Sequence, residues 1–312
     1  MRRAPGMVIL AVLSVAMAAC TSTGASLSPS AVPSQAASAE PSADPTVAVT
    51  PDACAAENLA LVTPSTLTIG TDNPAFPPYF DISDSAVDPW ELGDPTNGRG
   101  FESAFAYALA EQLGFAPTAV AWTVVPFAIS YAPGPKTFDL DINQVSYTPE
   151  RAQAVDMSDG YYFVNQSVVA LKDTPIASAK TIADLKGYKF GAQVGTTSYD
   201  TIQTTIAPTS ETSVFDTNDA AVEALKNGQI DGIVVDLPTA FFVTAVQVEG
   251  GVIVGQFPPA ADAEHFSVVL AKDSSLTPCV NAAIAELETA GTLDAITQQW
   301  LSDKVSAPVL QP

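Results

Sequence analysis

Arginine is scarce in this chain: among 312 residues only Arg2, Arg3, Arg99 and Arg151 occur. Arg151 closes the run SYTPER, directly after a Ser/Thr-Pro turn. A guanidinium offers a planar pair of donors that fits a carboxylate in a two-pronged way, which the point charge of lysine does not. Arg151 is therefore either a carboxylate receptor or half of a surface ion pair with Glu150 or Asp156. Asp236 ends the apolar run IDGIVVD. A carboxylate at the C-terminal end of a buried strand suits a cation; it equally suits the cap of a helix beginning near Pro238. Beside these two groups there is no set for turnover. His265, in AEHFSVVL, is the one histidine, and a lone His entering an apolar strand is more often structural than catalytic. No Cys/His spacing predicts a metal, and neither phosphate-cradling glycine pattern is present. No cofactor is expected. Serines and threonines are plentiful but lack a general base, so the chemistry is that of binding. Glu102 and Asp141 are the acids an enzymatic alternative would draw on.

The elements that must position these groups follow from pattern. TLTIGTD (66–72), TAVAWTVV (118–125), SVVALK (167–172), YKFGAQVG and IDGIVVD read as strands. GFESAFAYALAEQLG places Phe101, Phe105, Leu109 and Leu113 at helical spacing and stops at Gly114. TIADLKG opens with Thr181 three residues before Asp184, a capping signal. TSYDTIQTTI reads as a helix. NDAAVEALKNG reads as another, with Asn218 as N-cap and Gly228 at its end. FDLDINQV alternates Phe138, Leu140 and Ile142 with Asp139, Asp141 and Asn143. The alternation of strands and helices predicts an α/β architecture in two lobes with mainly parallel sheets. Ligands of such sheets sit at the strand C-termini.

A formal charge of −22, from 12 basic and 34 acidic residues, excludes a nucleic-acid partner, because phosphate binding relies on clustered Lys and Arg. The first 19 residues combine a basic start with a short apolar run ending in MAAC. This stretch resembles a bacterial lipoprotein signal, whose cleavage leaves Cys20 as the lipid-bearing first residue; the alternative is an ordinary secretory signal. Residues 20–52, rich in Ser, Ala, Pro and Thr without apolar period, read as a disordered tether. The remaining cysteines, Cys54 and Cys279, are an even pair in an exported chain: either a disulfide joining the ends of the folded region or two buried thiols.

IGTDNPAFPPYF, GFESAFAYALAEQLG, FDLDINQVSYTPERAQAVDMSDGYY, GAQVGTTSYDTI and NGQIDGIVVDLPTAFF follow one another in the order found in the polar amino-acid type of periplasmic solute-binding proteins, family 3, which the chain resembles over about 66–301. These are the extracytoplasmic binding components of ABC importers. The resemblance implies a type II periplasmic-binding-protein fold: a hinged clamp, second lobe inserted in the first, with lobe 1 at 53–165 and 266–302, lobe 2 at 166–265 and a C-terminal tail at 303–312. It implies that Arg151 takes the ligand carboxylate with Ser146 beside it, and that Asp236 takes the ammonium. Thr197 and Ser198 lie at a helix N-terminus that suits a carboxylate, or serve as an ordinary N-cap, or both. Asp72 and Phe76 fall near the first-lobe site, Phe76 one residue off the commonest spacing. Asn143 and Gln144 stand where many relatives have small residues, either facing a polar ligand or bonding across the hinge. Trp90, Trp122 and Phe127 are further wall candidates, Trp122 being suited to the core. The expected partners are a small zwitterion, an ABC permease and, through the lipid, the outer face of the cytoplasmic membrane; the protein is expected to be a monomer. Two segments depart from the family: the long 81–99 loop, which Arg99 either latches or leaves alone, and the Pro/Gly-rich stretch before Phe138.

Overall fold

The computed structural model describes residues 51–83, 85, 87–259, 262–301 and 306–312. The signal, Cys20 and nearly all of the tether lie outside them. The first lobe begins with β1 (Leu67–Thr71), α1 (Phe101–Gln112), β2 (Val120–Val124), α2 (Phe127–Ser130), β3 (Leu140–Asp141), α3 (Arg151–Ala154) and β4 (Asp156–Phe163). The chain then crosses into β5 (Gln166–Leu171), α4 (Ile182–Leu185), β6 (Phe190–Gln193), α5 (Thr197–Thr201), β7 (Ser213–Phe215), α6 (Asn218–Lys226), β8 (Gly232–Asp236), α7 (Leu237–Phe242) and β9 (Gly251–Gln256). It returns through β10 (His265–Leu270) and ends in α8 (Thr277–Thr289) and α9 (Thr292–Leu301).

Two five-stranded sheets result, ordered β2-β1-β3-β10-β4 and β7-β6-β8-β5-β9. The expectation of mainly parallel sheets is corrected here. β1 pairs parallel with β2 and β3, and β6 with β7 and β8, but every pairing of β10 and of β5 is antiparallel. The antiparallel strands are those next to the lobe crossings. A strand that enters a sheet straight from the other lobe has no helical crossover to turn it parallel.

The first core joins Phe101, Phe105 and Leu109 of α1 to Leu67, Ile69, Leu140 and Phe266 of the sheet and to Val280 and Ile284 of α8. Leu113 joins the same core, and Gly114 ends the helix at φ +87°, a conformation suited to glycine. A Cys54–Cys279 disulfide, with Cα atoms 5.5 Å apart, ties the start of the domain to α8. Thr181 and Asp184 form a reciprocal capping box on α4. The cap of α6 is Thr217 rather than Asn218: the Thr217 hydroxyl accepts from the Ala220 amide, and Asn218 is the first helical residue. The C-terminal residues do not trail away. Val309 bridges to Gln256, Gln311 to Thr181, and Leu310 is 1% exposed in the second core.

In FDLDINQV both faces are buried, the acidic one included: Asp139, Asp141 and Asn143 are as enclosed as Leu140 and Ile142. Asp139 is satisfied by the backbone amides of Val62 and Thr68. Both carboxylate oxygens of Asp141 lack a hydrogen-bond partner among the described residues. Burial, with Glu102 and Asp72 nearby, pushes its carboxyl well above the usual carboxylate range.

Candidate functional site

A cavity of about 60 Å³ opens between the two sheets, at the C-terminal ends of β1 and β8. Its lining includes Asp72, Phe76, Asn143, Gln144, Ser146 and Arg151 from the first lobe, with Thr197, Ser198 and Asp236 from the second. All nine residues singled out in the sequence thus meet at one place. Phe127 joins them; Trp90 and Trp122 do not. Trp90 is a core residue, and Trp122 packs against Phe80.

Arg151 is 7% exposed and makes no ion pair with Glu150 or Asp156; Asp156 pairs instead with Lys272. Its Nη1 donates to the Ser146 carbonyl at 2.5 Å and its Nη2 to the Gly195 carbonyl at 2.8 Å. The guanidinium carbon lies 4.5 Å from the Tyr131 ring centroid and 5.6 Å from that of Phe127, a cation–π arrangement. The plane is held from several sides while the remaining N–H groups of the five-donor fork are left for other acceptors. Burial lowers the guanidinium from its usual value, opposed by Tyr131 and Glu264. Gly195 receives this contact at φ +71°, and a Cβ there would stand 2.7 Å from the Tyr131 hydroxyl. The positive φ favours glycine, and a larger residue would push the Tyr131 hydroxyl aside.

Asp236 occupies the cap position of α7 but makes no capping hydrogen bond. Its carboxylate instead accepts from Gln166 Nε2 at 2.6 Å. Burial, and then Glu264, push its carboxyl well above the usual range, the state of an acid that lacks a cation. Asp72 is also raised by burial, although the amides of Asn73 and Phe127 donate to it.

Gln166 and Glu264, which flank the lobe crossings, were not foreseen. Ser146 Oγ and Thr197 Oγ1 each donate to Glu264 Oε1 at 2.6 Å, and Gln166 Nε2 reaches the same carboxylate at 3.2 Å. Ser198 Oγ donates to Gln166 Oε1 at 2.7 Å. Each hydroxyl has one proton, so with their protons on Glu264, Ser146 and Thr197 can serve a further partner only as acceptors, and Thr197 Oγ1 already accepts from Gln166 Nε2 at 3.4 Å. α5, which begins inside GTTS at Thr197, is capped by Thr196, whose hydroxyl accepts from the Tyr199 amide. The one sequence signal for Gln166 and Glu264 was their place beside the expected lobe boundaries, which does not indicate these partners.

Gln144 takes a left-handed conformation, φ +50°. Glu102 holds it there: its carboxylate accepts from the Gln144 backbone amide at 2.8 Å, from the Gln144 side-chain amide, and from the Tyr161 hydroxyl at 2.5 Å. Burial raises Glu102 to about 7 despite these donors. Asn143 Nδ2 has no partner among the described residues. Neither Glu102 nor Asp141 lines the cavity.

The family model for bacterial extracellular solute-binding proteins, family 3, matches residues 82–303. An arginine-binding extracellular protein, ArtP of Bacillus subtilis, is 30% identical over 221 residues, covering 69% of this chain and 82% of that protein. An ancestral arginine-binding protein bound to glutamine superposes with a TM-score of 0.61 at 29% identity, over 76% of this chain and 98% of the other. The ancestral amino acid-binding protein AncCDT-1, a precursor of cyclohexadienyl dehydratase, superposes with a TM-score of 0.59 at 26% identity, over 76% and 95%.

Proposed function

The chain belongs to the bacterial extracellular solute-binding proteins, family 3, and from that premise we propose that it captures an amino acid or similar small zwitterion and presents it to the permease of an ABC importer. The observation that carries this reading is the shared cavity of Arg151 and Asp236, opposite charges that reach it from different lobes. Arg151 takes the carboxylate through its uncommitted N–H groups, in a geometry fixed by Tyr131 and two backbone carbonyls. Asp236 takes the ammonium, and the oxygens of Ser146 and Thr197 accept beside it. Lobe 1 (53–165 and 266–302) and lobe 2 (166–265) act as the jaws. A ligand touching both favours the closed form, the shape a permease reads.

Cys20 carries the lipid after removal of residues 1–19, and the tether holds a monomeric domain outside the cytoplasmic membrane. MAAC after an apolar run supports this reading. Among the described residues no helix is long and apolar enough to cross a membrane. Cys20→Ala is expected to release the protein from membranes on fractionation; retention of the variant argues against the anchor. Enzymatic turnover is disfavoured because the two spare acids, Glu102 and Asp141, are walled off from the cavity.

A thermal-shift screen with amino acids and related zwitterions tests the binding reading. A specific ligand raises the midpoint because it binds only the folded state. If no zwitterion moves the midpoint or yields heat in calorimetry, the reading fails.

A further inference from the structure

β9 is an edge strand of the second sheet. Its outer edge is covered by residues 307–311 of the same chain. The Gln256 amide donates to the Pro308 carbonyl at 2.8 Å, and the Leu310 amide donates to the Gln256 carbonyl at 2.9 Å. Gln256 Nε2 donates to the Ala307 carbonyl at 2.7 Å. Further along, the Gln311 amide donates to the Lys180 carbonyl at 2.9 Å, and the Ile182 amide donates to the Gln311 carbonyl at 2.8 Å. Main-chain pairing of this kind satisfies an open sheet edge. Gly255 lets the segment come close: a Cβ there would stand 2.8 Å from Leu310 Cγ and 2.9 Å from the Pro308 carbonyl oxygen. Leu310 is buried in the second core with Val254, Phe257 and Ile206.

The segment starts from the other lobe. Leu301, the last residue of α9, is buried in the first core with Leu293. From Leu301 to Ser306 the extended chain reaches at most about 18 Å. The chain therefore passes between the lobes after β4, after β9 and again after α9. The three passes lie side by side. Asn165 Nδ2 donates to Gln256 Oε1 at 2.9 Å, and the Phe257 amide donates to the Gln166 carbonyl at 2.9 Å. Gln256, itself buried, thus ties the first pass to the third. Two passes leave a clamp free to twist as well as to bend, and a third beside them restrains both motions. In this arrangement the jaws touch: the Tyr79 and Thr239 hydroxyls are 3.2 Å apart, and the Phe76 and Phe242 rings meet with centroids 6.2 Å apart.

We propose that residues 306–311 are a third strand of the hinge, a strap that holds the two lobes near this contacting arrangement. Its docking is intramolecular and needs no ligand. The consequence for binding rests on the reading of the cleft as a binding site: a clamp kept near its closed form has a larger competent fraction, and apparent affinity rises with that fraction.

The test is the interlobe distance, measured by double electron–electron resonance on the full chain with Cys20→Ala and the disulfide intact. Dialysis out of denaturant removes bound solutes. Nitroxide labels sit at Glu111→Cys on α1 and Asn227→Cys just past α6, both exposed. Leu310→Asp puts a charge into the second core, and Gly255→Ala pushes the strap away without changing its sequence. The parent is expected to give one narrow distribution. In both variants the mean is expected to move by more than about 2 Å, beyond side-chain rearrangement, and the distribution to widen. Hydrogen exchange reports docking directly: the Leu310 and Gln311 amides are expected to be protected in the parent and to exchange about tenfold faster or more in the variants. Circular dichroism checks folding, and if Leu310→Asp fails to fold, Gly255→Ala decides alone. If these amides exchange freely in the parent, the strap is not docked and the proposal falls. If the variants lose protection while the distance distribution stays that of the parent, the segment only covers a sheet edge, and the proposal is overturned although the binding reading stands.

Discussion

Arg99 and Arg151 carry the same guanidinium in two regions that treat it differently. Arg99 ends the long 81–99 loop, pairs with Asp81 and keeps 51% of its side chain exposed. Its backbone helps as well, since the Asp81 amide donates to the Arg99 carbonyl at 3.0 Å; the residue latches the loop. Arg151 is buried against two aromatic faces and two carbonyls, with no carboxylate in hydrogen-bond contact among the described residues. Water supplies Arg99 with most of what its charge needs. Arg151 has given that water up, and neutral partners replace it only in part. The acids divide in the same way: Asp81 keeps a cation, whereas Asp236, Glu102 and Asp141 are buried and have their carboxyls pushed upward. Of these acids only Asp236 shares the cavity with Arg151, so it is this pair that a zwitterion relieves.

The largest expected effect comes from removing a buried member. Arg151→Ala and Asp236→Ala are each expected to weaken ligand binding by about thirtyfold or more, since truncating one partner of a desolvated pair typically costs ~2–5 kcal/mol. Calorimetry with the ligand found by screening reads this. If both variants bind like the parent, the cleft does not use its buried charges and the comparison with Arg99 loses its meaning.

Glu102 sharpens the comparison through pH. Its folded value, about 7, lies above the ordinary 4.5, so folding favours the protonated acid. That contribution is complete below about pH 4.5 and is lost as pH rises through about 7. A shift of this size corresponds to about 3 kcal/mol between the two ends. Tyr161 and Gln144 donate to Glu102, and Asp141 and Asp236 lie within electrostatic reach. Those carboxyls also titrate, so the informative quantity is the difference between Glu102→Gln and the parent. Denaturant unfolding at several pH values should show the variant losing less stability than the parent between pH 4.5 and 8. Parallel curves would mean that Glu102 titrates normally.

Arg151→Lys comes next. It keeps the charge but loses the planar fork and the stacking on Tyr131. Binding about tenfold weaker than the parent, and tighter than Arg151→Ala, is expected. Affinity equal to the parent would show that charge alone matters.

Much of this arrangement was legible because it is local. The stop at Gly114, the capping box of Thr181 and Asp184, and the strand ending at Asp236 each depend on a few adjacent residues. The nine cavity residues were within reach mainly through the resemblance to the family, Arg151 and Asp236 being marked out by residue type and place as well. Sheet direction was not, because β5 and β10 owe theirs to the lobe crossings rather than to their own pattern. Glu264 was missed for a related reason. Nothing beside it in sequence shows that Ser146, 118 residues earlier, and Thr197, 67 residues earlier, donate to it. The burial of the acidic face of FDLDINQV was not legible either, since alternation separates two faces without saying that both are enclosed.

The smallest effect is expected at Arg99. Its contact with Asp81 is a surface pair with 51% and 31% side-chain exposure, and such pairs contribute about 0–1 kcal/mol and are screened by salt. The loop has other supports. Asp94 caps its last turn by accepting from the Thr96 amide at 2.8 Å, and the Asp94 amide donates to the Asp81 carbonyl at 3.1 Å. Arg99→Ala is therefore expected to lower stability by no more than about 1 kcal/mol, less at high salt, and to leave ligand affinity unchanged. Denaturant unfolding at low and high salt, with calorimetry alongside, measures both. A loss of affinity would overturn the division between the two arginines, because it would make the outer loop part of the closed jaw rather than a latch beside it.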